Sequence, residues 1–266
     1  NEFFSYDYST KLNSKYGQAK IITTTNVFAH IENIRDFTKG IKNFLHADGV
    51  FVIEFPYLQN MLEEKFFDII YHEHLSYLSI TPLNKLFGDF ELNIFNIKRV
   101  NVGASGPGLR IFISHINSKF EKKNVVNDFI EYENKNKYKS LNTYANFAKD
   151  VFKIRDEIDD LIKKLSSEKN KIGAFGAPAK GNTMLNFLKS SQLNIVAVAD
   201  NTPIKIGKLT PGTHIPIVSD KDFNDMKIDY ALLLSWNYLD FFLKNSEFIK
   251  QKGKFIVPLP NLKILP

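Results

Sequence analysis

Apolar and polar positions along this chain switch repeatedly between a period of two and a period near 3.6, the pattern of alternating strands and helices. Residues 10 to 17 read as the end of a helix, and AKIITTTN (19 to 26) is a β-branched run that predicts a buried strand. From NVFAHI to Gly49 the apolar residues fall at helical spacing, with Phe37, Ile41, Phe44 and Leu45 on one face. GVFVIEFP is then a second continuous apolar strand, so the order is strand, helix, strand, one parallel α/β unit. Ligands of open parallel sheets sit at the carboxyl ends of the strands. Asn26 to His30 and Glu54 to Tyr57 are therefore expected on one edge, and the stretch after a short helix, YLQNMLEEK, is expected to return to it.

TPLNKLFGDF predicts a helix with Thr81 as N-cap and Pro82 in its first turn. ELNIFNIKRVN and LRIFISHI predict a strand pair joined by a tight loop, VGASGPG. Residues 119 to 170 predict two helices, the second long, with Phe147, Val151, Ile154, Ile158, Leu161 and Leu165 at apolar spacing. Tyr132, Tyr138 and Tyr144 in this region suit either stacking on a base or ordinary packing. At Lys171 a second α/β pattern begins: strand KIGAFG, loop APAKGNT, helix MLNFL and strand NIVAVADN. Further on come the turn-rich LTPGTHIPI, strand DYALLLSW, helix NYLDFFLKNSEFIKQKG and a closing strand GKFIVPLP. The expected fold is α/β in three parts: 1–118, a helical connector 119–170, and a Rossmann-like domain 171–266.

Chemistry concentrates in Phe66 to Ser79, FFDIIYHEHLSYLS, where two imidazoles, two carboxylates, two phenols and two hydroxyls share fourteen residues. If the stretch is extended, His72 and His74 point one way and Glu73 the other, with Tyr71 beside it. That makes an acid/base cluster. A metal pair would need a third ligand that no nearby Cys or acidic run supplies, and HEHLS is not the HExxH pattern. Histidines satisfied beneath a loop are the remaining reading. In the second pattern, a helix starting near Asn182 and Thr183 would offer free N–H groups to an anion. Gly176 and Gly181 would let backbone approach it, and Lys180 would add charge. A tight turn needing glycine for packing is the alternative. Asp200 and Asn201 end the next strand, where such folds meet a ribose or base edge.

With 266 residues, 44% hydrophobic and 14% aromatic, the chain can bury one large core or two modest ones. It contains no cysteine, which removes disulfides, thiol chemistry and thiolate zinc sites and fits a cytoplasmic enzyme. No apolar run reaches the length of about 18 residues that suggests a membrane span, and NEFFSYDYST is not a signal peptide. The net charge of +6 is spread among acids on helical segments such as KDVFKIRDEIDDLIKKL, a solvated-face pattern rather than a nucleic-acid footprint.

NVFAHI, VFVIEFPYL and FDIIYHEHLSYLS, followed by GAFGAPAKGNTMLNF, VADNTPIKIGKLTPGTHIPIV and LLLSWNY, closely resemble the sugar C-methyltransferase family, in order, from about residue 2 to residue 260. Members methylate a carbon of a nucleotide-linked keto-sugar with S-adenosylmethionine. The resemblance implies the C-terminal half of a class I methyltransferase sheet followed by a domain that binds the nucleotide-diphosphate sugar. It implies His74 as general base, with Tyr71 and Glu73 orienting it or serving the enolate oxygen and His72 as a weaker candidate. Asn26, Phe28 and His30 then fall to the methyl donor. Arg110, Gly176, Lys180, Gly181, Asn182, Asp200 and Asn201 fall to the substrate. The family's His-Gly-Gly-Ser-x-Arg pattern is GASGPGLR here, so Arg110 matches and the histidine does not. The family's acidic-glycine donor loop and its N-terminal zinc-binding cysteine region are not in this sequence, and the chain reads as a C-terminal portion. A nicotinamide-dependent oxidoreductase and a non-catalytic nucleotide-sugar binding fragment are the alternatives.

Overall fold

A computed structural model describes residues 2–101, 106–190 and 194–266. It forms two compact units: residues 1–63 with 72–144, and Glu64–Tyr71 with Ala145–Pro266. These units divide the chain at 144/145, with a segment exchanged, rather than at 118 and 170. As expected, the fold is α/β with two sheets.

The first unit runs α1 (Tyr6–Tyr16), β1 (Ala19–Thr25), α2 (Ile34–Phe44), β2 (Leu45–Pro56), α3 (Leu58–Glu63), α4 (Ile80–Gly88), β3 (Leu92–Asn101), β4 (Pro107–His115) and α5 (Val125–Lys135). The sheet order is β1-β2-β4-β3, with β1 parallel to β2 and the other pairs antiparallel. Along β2 the alternate residues Phe51, Ile53 and Phe55 are fully buried, while Val52 and Glu54 on the other face are half-buried. Asn33 caps α2 by accepting from the Asp36 amide, and Phe37 and Ile41, one turn apart, face the core. That helix ends at Phe44, five residues before Gly49, because β2 already begins at Leu45. β1 is not the buried strand its composition suggests. It pairs only with β2 among the described strands, and Ile21 is 71% exposed. Most of the loop between β3 and β4, residues 102–105, lies outside the described residues.

α6 (Leu141–Ser167) leads into the second unit, which holds β5 (Ile172–Phe175), α7 (Ala179–Phe187), β6 (Ile195–Ala199), β7 (Ile217–Val218), β8 (Tyr230–Leu233), β9 (Lys254–Val257) and β10 (Lys263–Leu265). Its sheet order is β10-β9-β8-β5-β6-β7, parallel except for the edge strand β10, which the sequence pattern did not reveal. The helix expected over 237 to 253 is interrupted at Ser246 into Leu239–Asn245 and Glu247–Lys250. Phe175 centres the core, with Phe242 and Phe255 at 5.2 and 5.3 Å between ring centroids. Among the described residues no helix is long and apolar enough to cross a membrane.

Phe28 opens the loop after β1 and is fully buried, in ring contact with Phe37, Phe51 and Phe87. Phe28→Ala should therefore lower the stability of the first unit by about 3–5 kcal/mol in urea unfolding. Ile21→Ala, on the exposed edge, should change it by no more than about 0.5 kcal/mol.

Candidate active site

The carboxyl ends of β1 and β2 are joined side by side, since the Asn26 amide donates to the Glu54 carbonyl. Residues 72–79 are tied to both ends. From the β1 loop, the Ala29 carbonyl accepts from the Ser76 amide and the His30 ring bonds the Glu73 carbonyl through Nδ1 at 2.6 Å. From the end of β2, Tyr57 bridges Leu78, and the Leu58 amide donates to the Leu78 carbonyl. The stretch is a turn followed by irregular backbone, so the extended geometry that would align His72 with His74 is not adopted. His72 and Glu73 are exposed, whereas His74 is half-buried between the His30 ring at 4.9 Å and the Tyr77 ring at 6.3 Å. A carbonyl can only accept, so Nδ1 of His30 carries a proton and donates to it.

Of the residues read for the methyl donor, Asn26 sits at the strand end with φ 54°. Phe28 offers no surface to a ligand because it belongs to the core, and the His30 ring is engaged with the 72–74 turn through the Glu73 carbonyl and the His74 ring. Arg110 pairs in register with Glu54 across β4 and β2 and makes an ion pair with it, with Lys98 opposite on β3. The guanidinium thus begins with a carboxylate partner. The three tyrosines of the connector are packing residues. Tyr132 and Tyr138 both hydrogen-bond Glu63, and Tyr144 donates to the Tyr138 carbonyl.

In the second unit α7 starts at Ala179, after an N-cap Pro178 that makes no side-chain cap bond. Asn182 is therefore inside the helix, not at its start, and its amide donates to the Pro178 carbonyl. Gly176, at φ 83°, and Gly181 are required by packing: a Cβ would meet the Ser235 hydroxyl at 2.3 Å and the Leu234 Cβ at 2.8 Å, respectively. The Asp200 carboxylate shapes the loop after β5 by accepting from the Ala177 and Thr202 amides and pairing with Lys205. Burial alone would raise its pKa, yet these donors hold it below the ordinary carboxylate value. Asn201 bonds Asp220 through both ends of its amide.

Lys180 is not a free cation. It is 7% exposed, its ammonium meets the Asn237 side-chain oxygen at 2.5 Å, and it lies 3.9 Å from the centre of the Trp236 ring. The indole N–H donates to Asp68 at 2.6 Å, and Asp68 is fully buried. Burial pushes the Asp68 carboxyl up to about 6, against the opposing pull of Lys180 and the Trp236 hydrogen bond. Burial likewise brings Lys180 down to about 8, with Asp68 opposing. Sequence reasoning missed Asp68, Trp236 and Asn237, although Asp68 stood within the histidine stretch and Trp236 is the sole tryptophan. Neighbouring Phe66 and Phe67 pack with tilted rings against Trp236 and Phe187, which fastens 64–71 to this unit. Among the described residues no group of three or more His, Asp or Glu side chains is placed to hold a metal ion.

Residues 103–260 match a family described as the C-methyltransferase C-terminal domain. The chain belongs to the C-methyltransferase family. Over 263 residues it is 30% identical to the C-methyltransferase NovU of Streptomyces niveus, covering 98% of this chain and 62% of that protein. The family match begins after the histidine stretch, so the geometry of residues 72–79 is evidence of a different kind from the family assignment.

The buried pair gives a pH test. The folded pKa of Asp68 is raised, so its contribution to stability is complete below the unfolded value near 3.8 and is lost as pH rises through about 6. Urea unfolding between pH 4 and pH 7 should show the wild-type protein losing stability relative to Asp68→Asn across that window. Parallel curves would place the carboxylate in a far better solvated site.

Proposed function

We propose that this chain supplies the proton-abstracting site and the nucleotide-sugar site of an S-adenosylmethionine-dependent C-methyltransferase acting next to a ketone of a nucleotide-linked sugar. The observation that carries the reading is His74, half-buried beside His30 where the ends of β1 and β2 meet. A C–H beside a ketone does not ionise in water near neutral pH, so the reaction needs a positioned base and a partner for the enolate oxygen. An imidazole is the side chain suited to accept that proton. The bond from His30 to the Glu73 carbonyl fixes the turn that carries the His74 ring, so the base is held before substrate arrives. Tyr71 and Glu73 would orient His74 or serve the enolate oxygen, and His72 is a weaker candidate for the base.

S-adenosylmethionine is the co-substrate this reading implies. The residues present do not by themselves form a site for it, because Phe28 is sealed in the core and His30 is turned to the Glu73 carbonyl. The derivation is therefore confined to the proton. In the second unit, the uncapped first turn of α7 suits the diphosphate, with backbone N–H groups as the contacts. Lys180 shapes that turn through Asn237 and Trp236. Asp200 is committed to the Ala177 and Thr202 amides, which disfavours the ribose contact that a nicotinamide oxidoreductase would require of it. A cytoplasmic setting belongs to the same reading.

His74→Asn keeps reach and hydrogen-bonding capacity while removing the proton acceptor. In enzyme that also carries the methyl-donor site, methyl transfer should fall by about 10² to 10⁴-fold. Affinity for a nucleoside diphosphate, measured by calorimetry, should not change. Wild-type turnover in the variant would remove His74 from the role.

A further inference from the structure

The helix α5 lies in the charged stretch read from sequence as a connector, yet its Glu133 is 2% exposed. A buried carboxylate is tolerated only where donors surround it. Three do. Tyr57 donates its hydroxyl to Oε1 at 2.8 Å, the Ile80 amide donates to the same oxygen at 2.6 Å, and the Thr81 amide donates to Oε2 at 2.8 Å. The two amides open α4, whose N-cap is Ser79 rather than Thr81 and makes no side-chain cap bond. Glu133 is therefore the cap of α4, supplied by another helix.

The third donor matters as much. Tyr57 stands at the end of β2 and bridges Leu78, and the next amide, Leu58, donates to the Leu78 carbonyl. One carboxylate thus joins the end of β2, the start of α4 and the helix α5. Between the turn at His72–Glu73 and α4, residues 74–79 have no regular structure beyond that single bridge, and they are anchored on both sides. The upstream anchors are the bonds to His30 and Ala29. The downstream anchor is the Glu133 carboxylate.

We propose that Glu133 is a positioning residue for His74, holding the 77–81 backbone so that the His74 ring stays between His30 and Tyr77. Its kinetic consequence rests on the reading of His74 as the base. The structural part does not, and can be measured without turnover. In Glu133→Gln one carboxylate oxygen is replaced by an amide NH2, a donor that faces a donor of the clamp, so one end of it opens.

Side-chain NMR contacts of the His74 ring with His30 and Tyr77 should disappear in Glu133→Gln. In enzyme that also carries the methyl-donor site, the kcat for methyl transfer should fall by about 10- to 100-fold, as expected for a misplaced catalytic group, while KM for the nucleotide sugar stays constant. Leu83→Ala, a core truncation on α4 that leaves the clamp intact, serves as the control for lost stability. It should lower the melting temperature while preserving the ring contacts and the kcat of folded molecules. Retained contacts in Glu133→Gln would overturn the proposal, as would an equal loss of kcat in Leu83→Ala. If His74→Asn turns over normally, the base reading fails, and the NMR contacts still decide the role of Glu133.

Discussion

A turn leaves a carbonyl that must find a donor, and at Glu73 the donor is the ring of His30. That bond fixes the turn and places the His74 ring 4.9 Å from that of His30. The frame beneath it is built from the core outward. Phe28 seats the β1 loop among three other phenylalanines, and β2 runs beside it in parallel, so both loops leave the sheet at the same edge. The site therefore inherits its precision from strand pairing and aromatic packing.

The second unit solves a different problem, holding charges out of water. Asp68 and Lys180 are both tuned toward neutrality by burial, with Trp236 bonding one and covering the other. Asp159 on α6 is also buried, 2% exposed, and accepts from the Lys189 and Ser190 amides. Asp68 lies in the short 3-10 helix Phe67–Ile69 of the 64–71 excursion, and Asp159 holds Lys189 and Ser190 just after α7.

The elements were largely legible because periodicity reports directly on which face is buried. Both sheets apart from the short strands β7 and β10, the β3–β4 pair and the two helices of 119 to 170 follow from it. The exposure of β1 was not legible, since a β-branched run looks the same at an edge as in the middle of a sheet. The start of α7 was displaced by three residues because Pro178, which is pre-set for a helix start, outranked Asn182 as a boundary. Glu133, Asp159 and Asp68 were hidden for one reason. Their partners are backbone amides and rings distant in sequence, and a charged run does not reveal which member turns inward. The histidine stretch was recognised by its chemistry, but the extended geometry assigned to it was wrong because hydrogen bonds from the β1 loop stabilise a turn.

The most direct measurement is proton NMR of a nucleotide-linked keto-sugar incubated with the protein in deuterium oxide without any methyl donor. If His74 abstracts the proton beside the ketone, that proton's signal disappears faster than in buffer, at a rate that rises with protein concentration. Exchange no faster than in buffer, with the sugar shown to be bound, would contradict the assignment of this site as the base.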